Sequence, residues 1–195
     1  MIRKNTNGDY PQIDRTAYID STATLIGKIK IGKNVFVGPG AVLRADEKSS
    51  AIIIHDNCNI QDRVIIHALG NSSVVVAENT SLSHGCIIHG PCKIGRGCFI
   101  GFGSVVFNAK IKDGVVIKHL SCIEEVNISY KRTVDSGIVL NNKKDAGMLN
   151  FVDADLKKFA QKVVRVNLGL VKGYKNKRLY VAFKAKKIKR LTLKI

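Results

Sequence analysis

Three histidines, His67, His84 and His89, lie close together in the middle of the chain. Three neutral imidazoles are the ligand set of a catalytic zinc ion, which takes three protein ligands and leaves a fourth position open for water. Closed structural zinc sites usually recruit cysteine instead. These histidines can bind one ion only if the fold brings them together, so their spacing has to be compared with the pattern of the surrounding chain.

An aliphatic side chain recurs every six residues over most of the sequence. The series runs through Ile13, Ile19, Leu25, Ile31, Val37, Leu43, then Ile54, Ile60, Ile66, then Val76, Leu82, Ile88, Ile94, Ile100, Val106, and after a five-residue step Ile111, Ile117 and Ile123. A smaller side chain follows most of these after four residues, as at Ala17, Cys58 and Ser104. A hexapeptide of this kind forms one short strand and one turn, and three of them close a triangular coil. Residues 13–128 therefore predict a parallel β-helix of about six coils, with the aliphatic side chains inside the prism.

The six-residue period also predicts where the histidines lie. Residues at the same position three hexads apart fall on one face, one coil above another. His67 and His89 each follow an aliphatic residue by one and are three hexads apart, so we expect them to stack within reach of one ion, with Phe107 one coil above His89. His84 follows Leu82 by two and falls on the preceding face, from which a second subunit would have to supply it.

A polar and charged face is expected beside the two stacked histidines. It comprises Arg44, Asp46, Glu47, Gln61, Asp62 and His84. We expect Arg44, Gln61 and Ser83 in one column, and Ala45, Asp62 and His84 in the adjacent one. If three prisms pack around a threefold axis, this face meets the histidine face of the next subunit, and three imidazoles converge at each interface. Arg44 and Asp46 then suit an ion pair between subunits or a catalytic role.

The cysteines are interpreted as core residues and not as metal ligands. Cys86, Cys92 and Cys98 are six residues apart, which places them on three faces of one coil with their side chains inward. Five cysteines without a Cys-x-x-Cys pair are typical of a reducing compartment. No apolar run approaches the roughly 20 residues of a membrane span. We therefore expect a cytoplasmic protein.

A different pattern begins at Asp153, where apolar residues recur at three- and four-residue steps. It predicts an amphipathic helix of about five turns, with Asp153 as N-cap and Gly173 as the C-terminal stop. We divide the chain into a β-helix over 1–128, a connector and helix over 129–174, and a basic tail over 175–195. The tail holds nine Lys or Arg and no acid, out of a net charge of +17. It could bind an anionic surface, although no nucleic-acid or membrane partner is indicated.

Three segments resemble the γ-class carbonic anhydrases. They are Val-Leu-Arg-Ala-Asp-Glu at 42–47, Asn-Ile-Gln-Asp-Arg-Val-Ile-Ile-His at 59–67 and Leu-Ser-His-Gly-Cys-Ile-Ile-His-Gly at 82–90. Residues 163–174 are similar to that family's C-terminal helix. The resemblance implies a left-handed β-helix, a homotrimer and an enzyme, a lyase that hydrates carbon dioxide to bicarbonate. It also implies that His67 and His89 of one subunit and His84 of a neighbour bind zinc, and Fe(II) or Co(II) would fit the same imidazoles.

The resemblance gives further residues a role. Gln61 would hydrogen-bond the metal-bound solvent, Arg44 with Asp46 or Asp62 would organise the interface, Glu47 matches an acid near the metal, and Asn167 matches a helix asparagine near the pocket.

The sequence also departs from the family pattern. The family's long acidic loop after the first histidine, with its proton-carrying glutamate, is replaced by the short uncharged segment 68–73, with Gly70 where the glutamate is expected. We therefore expect slow hydration. Arg63 replaces a usual glycine and Arg165 a common aromatic, and both are expected to add positive charge close to the site.

Two other functions are compatible with the sequence. A hexapeptide acyltransferase uses one histidine as general base, with a coenzyme A thioester along the coils. Such an enzyme does not need three convergent histidines. A metal-binding but inactive scaffold is the other alternative, since folds of this type also serve in assembly.

Overall fold

Three parallel sheets of short strands form the walls of a left-handed β-helix in the computed structural model, which describes residues 1–176. Sheet 1 contains Ile2–Arg3, Thr24–Gly27, Val42–Ala45, Ile65–His67, Ile87–His89, Val105–Phe107, Cys122–Glu124 and Val139–Leu140. Sheet 2 contains Gln12–Ile13, Ile29–Ile31, Ala51–Ile54, Ser73–Val76, Cys92–Ile94, Lys110–Ile111 and Asn127–Ile128. Sheet 3 contains Tyr18–Ile19, Phe36–Val37, Asn59–Ile60, Ser81–Leu82, Phe99–Ile100, Val116–Ile117 and Thr133–Val134.

The aliphatic hexad residues fill the prism, as the sequence predicts. Leu43, Ile66 and Ile88 stack in register on sheet 1, and none of the three is exposed to solvent. Neighbouring residues in a strand point to opposite faces of the sheet, so each inward aliphatic leaves its neighbours outside. The chain passes from sheet 1 to sheet 2, then to sheet 3 and back to sheet 1. The turns from sheet 3 to sheet 1, where His84 lies, form one edge of the prism that we call the His84 corner.

The coils continue past residue 128, where we expected the β-helix to end, and about seven are formed in place of the predicted six. Two strands, Thr133–Val134 and Val139–Leu140, lie in the segment that we interpreted as a connector. The reason is visible in the sequence, because Ile128, Val134 and Leu140 keep the six-residue step and are all buried. Helix α1 (Lys143–Met148) follows and buries Ala146 against the last coil.

Helix α2 (Ala154–Lys175) lies along the outside of sheet 3. It begins at the predicted N-cap, since the Asp153 carboxylate accepts a hydrogen bond from the Leu156 amide at 2.8 Å. It does not stop at Gly173 but continues for two more residues. Within residues 1–176, neither helix has the length and apolar character needed to cross a membrane. The predicted basic tail lies outside the described residues from position 177 onward.

Candidate metal centre

The predicted pair of stacked histidines is present on the outer face of sheet 1. His67 and His89 are in register on neighbouring strands. Both side chains point outward, because Ile66 and Ile88 beside them point inward. Their ring centroids are 4.9 Å apart, with an interplanar angle of 76°. Nδ1 of His67 lies 3.1 Å from Nε2 of His89. We call this outer surface of sheet 1 the histidine face.

The spacing of the two nitrogens fits a shared metal ion. Two nitrogen ligands of a tetrahedral zinc ion, each bonded at 2.0–2.1 Å, lie about 3.3 Å apart. The remaining ring nitrogens, His67 Nε2 and His89 Nδ1, are buried and have no hydrogen-bond partner. Burial, and then the charges of Arg44 and His89, lower the pKa of His67 below its ordinary value. The imidazole is therefore neutral at pH 7, which is the form that binds metals.

Two carboxylates hold His67 from the side away from His89. Oε1 of Glu47 lies 3.3 Å from His67 Nε2, and Oδ1 of Asp46 lies 3.7 Å from the same nitrogen. The other oxygen of Glu47 accepts a hydrogen bond of 2.7 Å from the Gly70 amide. A carboxylate at the far nitrogen of a metal-binding histidine fixes its tautomer and ring orientation. Nδ1 of His67 is thus the ring nitrogen that faces His89.

Arg44 lies on the histidine face, and its predicted column with Gln61 and Ser83 is wrong. Arg44 is in register with His67 on sheet 1. The error comes from the eleven-residue step between Leu43 and Ile54, which is one hexad plus five residues that bulge out at the edge of the prism. Asp46 and Glu47 belong to that bulge and so join the histidine face as well. Arg44 pairs with Asp46 of its own chain, with Nη2 and Oδ2 3.1 Å apart.

His84 lies on the His84 corner, in the predicted column with Asp62. The third predicted member of that column, Ala45, lies instead on sheet 1, shifted by the same bulge as Arg44. Its Nδ1 is 3.4 Å from Oδ2 of Asp62, and its ring centroid is 5.5 Å from that of Phe102. The side chain is 54% exposed. Among residues 1–176, no group of three His, Cys, Asp or Glu side chains within one chain is arranged to hold a metal ion.

Gln61 and Asn167 lie on the sheet 3 side of the prism, away from the histidine face of their own chain. Both are buried, at 7% exposure. Gln61 Nε2 donates to Asn59 Oδ1 at 3.0 Å, and Asn59 in turn donates to Ser81 Oγ at 2.8 Å. Asn167 on helix α2 donates to the Val163 carbonyl at 3.0 Å. Sequence reasoning missed the row formed by Asn59 and Ser81, although polar residues directly before inward aliphatics are a signal for it.

Two apolar surfaces that the sequence analysis did not identify accompany the histidines. The first is a row on the histidine face formed, in register, by Val42, Ile65, Ile87, Val105, Cys122 and Val139. The second surrounds the His84 corner and contains Phe102, Leu120, Phe159, Val166 and Leu170, each at least 40% exposed. Contiguous exposed apolar surface of this kind marks an interaction site. One surface carries the histidine pair and the other carries the third histidine.

Comparisons with known proteins support the hexapeptide fold and identify a family. A family model described as bacterial transferase hexapeptide (six repeats) matches residues 73–108. A carbonic anhydrase from Methanosarcina thermophila is 34% identical over 192 residues, which cover 88% of this chain and 77% of that protein. The chain belongs to the γ-class carbonic anhydrase family.

Other relatives show how widely this fold is used. The carboxysome assembly protein CcmM of Nostoc sp. is 37% identical over 173 residues, covering 84% of this chain and 31% of that protein. The chain thus spans less than a third of the length of its CcmM relatives. The crystal structure of a hexapeptide transferase family protein from Anaplasma phagocytophilum has a TM-score of 0.77 at 25% identity, covering 89% of this chain and 97% of that one.

The loop after His67 is short and carries no charged side chain over residues 68–73. Gly70 contributes a backbone amide that binds Glu47, and the Asn71 amide donates to the Lys48 carbonyl at 2.8 Å. The two bulges at this edge of the prism therefore bind each other. Asp46 and Glu47 are the carboxylates within 4 Å of His67.

The two arginines that depart from the γ-class carbonic anhydrase pattern lie in different places. Arg63 is on the His84 corner, where it lines a groove together with Asp62 and His84. Its φ of 57° is in the left-handed region that favours glycine, the residue that the resemblance leads us to expect there. Arg165 lies on the other side of helix α2, so the prediction that it adds charge close to the histidines is wrong.

The cysteines are core residues, as predicted. Cys58, Cys86, Cys92 and Cys98 are buried. Burial raises the pKa of Cys58, Cys86 and Cys98 to about 12. These thiols stay protonated at neutral pH, whereas metals bind the thiolate.

Proposed function

We propose that this chain is a metal-dependent carbonic anhydrase that hydrates carbon dioxide reversibly as a homotrimer. One observation carries the proposal: two imidazoles are stacked on one apolar surface with Nδ1 of His67 3.1 Å from Nε2 of His89, and the third histidine stands on a different apolar surface. An interface between two different surfaces is head-to-tail, and it closes into a ring when the rotation allows. Each interface of a trimer would then bring together His67, His89 and the His84 of a neighbour.

The donor set suits zinc, and Fe(II) or Co(II) as well. When bound, such an ion makes water nucleophilic toward carbon dioxide at neutral pH. His67 and His89 bind it from one subunit, and Asp46 with Glu47 keep the His67 Nε2 proton on the far side of the ring. Gln61 and Asn167 of the neighbour approach with His84, since all three lie on the sheet 3 side of the prism. Gln61 would orient the solvent molecule.

Phe107 supplies an apolar surface for the substrate. It lies one coil beyond His89 on the histidine face, with the two ring centroids 5.4 Å apart. Carbon dioxide is apolar, whereas bicarbonate is charged and better hydrated. The ring therefore favours entry of the substrate and release of the product.

Proton release should limit the rate. Glu47 is the partly exposed carboxylate beside His67, but the Gly70 amide already binds one of its oxygens and the other lies 3.3 Å from His67 Nε2. A carboxylate held in this way is a poor carrier of protons to bulk water. Dissolved buffer must take the proton, so kcat should rise with buffer concentration. A fast rate that does not depend on buffer would show that a side chain of the protein carries the proton to bulk water.

An assembly scaffold is the second candidate, and the similarity to CcmM, whose name describes carboxysome assembly, favours it. The first experiment is metal analysis of anaerobically purified protein, with stopped-flow carbon dioxide hydration before and after loading with zinc or iron. One metal ion per chain and metal-dependent hydration support the enzyme. Bound metal without hydration favours the scaffold. Absence of metal, together with binding of acetyl coenzyme A, would favour an acyltransferase.

A mixing experiment tests whether sites are shared between subunits. His67→Ala and His84→Ala chains are each expected to be inactive. In randomly mixed trimers, about a quarter of the sites combine the intact His67–His89 pair of one chain with the intact His84 of the other. Refolding the two variants together should therefore restore about a quarter of the wild-type activity. If the mixture stays as inactive as its parts, the shared site is wrong.

A further inference from the structure

A second cavity lies far from the histidines, between helix α2 and the edge of the prism where sheet 2 turns into sheet 3. Its volume is about 800 Å³, which is within the range of small-molecule sites. At this edge four successive coils carry a left-handed residue, namely Asn79, Gly97, Gly114 and Lys131. The two glycines lack side chains, and this leaves a groove between the coils and the helix. Nothing in the proposed carbonic anhydrase chemistry uses it.

The walls of the groove are apolar. Val116 of sheet 3 is 2% exposed and packs with Ala160 of helix α2. Val152, Val164 and Leu168 complete this wall. The amides of Gly97 and Gly114 are already bound to backbone carbonyls, so they cannot bind a ligand. Recognition of a polar group therefore depends on the side chains at the rim.

The rim is strongly basic. Lys131, Lys157 and Arg165 line the groove, and no acid forms an ion pair with any of them among residues 1–176. Arg96 is also at the rim and is partly neutralised by Glu78, with Nε and Oε2 3.4 Å apart. Within the described part of the chain, Asp113 is the one acid that lines the groove, and its carboxylate accepts a hydrogen bond of 2.9 Å from the Arg96 amide. Three unpaired cations around an apolar wall are complementary to a ligand with an apolar body and a compact anionic group.

We propose that this groove binds an organic phosphate with a flat or apolar body, of about the size of a nucleoside monophosphate. Arg165 provides the planar guanidinium that matches phosphate oxygens, and Lys131 and Lys157 add charge from either side. The aliphatic wall covers the body of the ligand. The basic tail is not a suitable occupant, because residues 177–195 carry no acid.

The groove stays open in the proposed trimer. On helix α2 its residues lie on the side opposite to Phe159, Val166 and Leu170, the exposed stripe beside the His84 corner. The histidine face and the His84 corner form the subunit contacts, and the groove belongs to neither. Ligand binding here is therefore independent of the metal site, and either proposal can fail without the other.

Calorimetric titration of the full chain with adenosine 5′-monophosphate at 150 mM salt tests the proposal. We expect binding that is at least tenfold tighter than that of adenosine or of inorganic phosphate alone. The double variant Lys157→Glu/Arg165→Glu should weaken this binding at least tenfold. The matched control Lys162→Glu/Lys172→Glu changes the same charge on the same helix outside the groove, and should change affinity less than twofold.

Other outcomes would overturn the proposal. If inorganic phosphate binds as well as the nucleotide, the apolar wall contributes nothing. If both double variants weaken binding equally, the effect is net charge and not a site. Lys131→Glu, on the coil side, provides an independent variant, and thermal melts establish that each variant is folded before it is titrated.

Discussion

The histidine face and the His84 corner carry parts of one candidate site but are built very differently. On the face, His67 is 16% exposed, is held by two carboxylates and touches His89. On the corner, His84 is 54% exposed, and its contacts are Asp62 and Phe102. The face is thus preorganised within a single chain, whereas His84 on the corner is more exposed and less constrained. Under the proposed function, metal affinity would reside mainly on the face, and assembly would complete the site.

The largest expected effect is on metal binding, and it should differ between substitutions on the histidine face and on the His84 corner. His67→Ala should reduce bound metal to background, because it removes half of the preformed pair. His84→Ala should leave weak but measurable metal binding through His67 and His89. Affinity should fall at least about a hundredfold, because loss of a residue that only contacts a metal ligand already costs 10–100-fold. Metal content after dialysis against a chelator measures both. His55→Ala, on another edge, is the control, and equal losses for His67 and His84 would refute the asymmetry.

A charge in the apolar row should separate the subunits without touching a ligand. Val105→Glu places a carboxylate in the row on the histidine face, and burying it unpaired is costly. We expect monomers by sedimentation velocity and a loss of hydration activity of about a hundredfold, since the third ligand is then missing. Val75→Glu makes the same change at a half-buried outward position of sheet 2 and should leave the trimer intact. A trimeric Val105→Glu protein would show that this row is not the interface.

The carboxylate beside His67 should matter for metal affinity. Glu47→Gln removes the negative charge that fixes the His67 tautomer, and loss of such a partner typically costs 10–100-fold in affinity. Competition with a chromophoric chelator measures the change. Glu124→Gln is the matched control, because Glu124 is in register with Phe107 on the histidine face, two coils beyond His89. An unchanged affinity in Glu47→Gln would mean that the face is not preorganised by this contact.

The smallest expected effect is on how the stability of the metal-free protein depends on pH. Burial, followed by Arg44, lowers the pKa of His67. In metal-free protein, the unfolded chain therefore binds the proton first as pH falls, and stability declines below the ordinary histidine pKa of about 6.5. Arg44→Ala removes one of the repelling charges, so the pKa of His67 should rise and this acid-induced loss should shrink. Titration followed by histidine NMR signals measures it, and a downward shift would contradict the sign.

The inward half of the fold was predictable because the prism itself imposes the period. The interior requires a bulky residue at every sixth position, so Leu43, Ile66 and Ile88 and the stacking of His67 on His89 follow from counting. Counting fails where residues are inserted outside the prism. The bulge after Leu43 shifted Arg44 by one face in our prediction. The last coil was missed although Val134 and Leu140 keep the step.

The outward half depends on contacts that the period does not encode. Helical spacing predicted α2 but not that Phe159, Val166 and Leu170 would stay exposed beside the His84 corner. The bond between Gly70 and Glu47 requires two bulges, more than 20 residues apart in sequence, to meet in space. The basic groove arises from the packing of a helix against a corner. Such features need three-dimensional packing and, for His84, a second subunit.

One cysteine differs from the other four in a way that makes it a natural reporter. Cys122 is the half-buried thiol, and it lies in the apolar row of the histidine face. The interior thiols are shielded by the coils whatever the chain's state of association. A thiol reagent should therefore modify one cysteine per free subunit and none in an assembled ring. The reactivity of the Cys122 thiol therefore measures the association of subunits without metal or substrate.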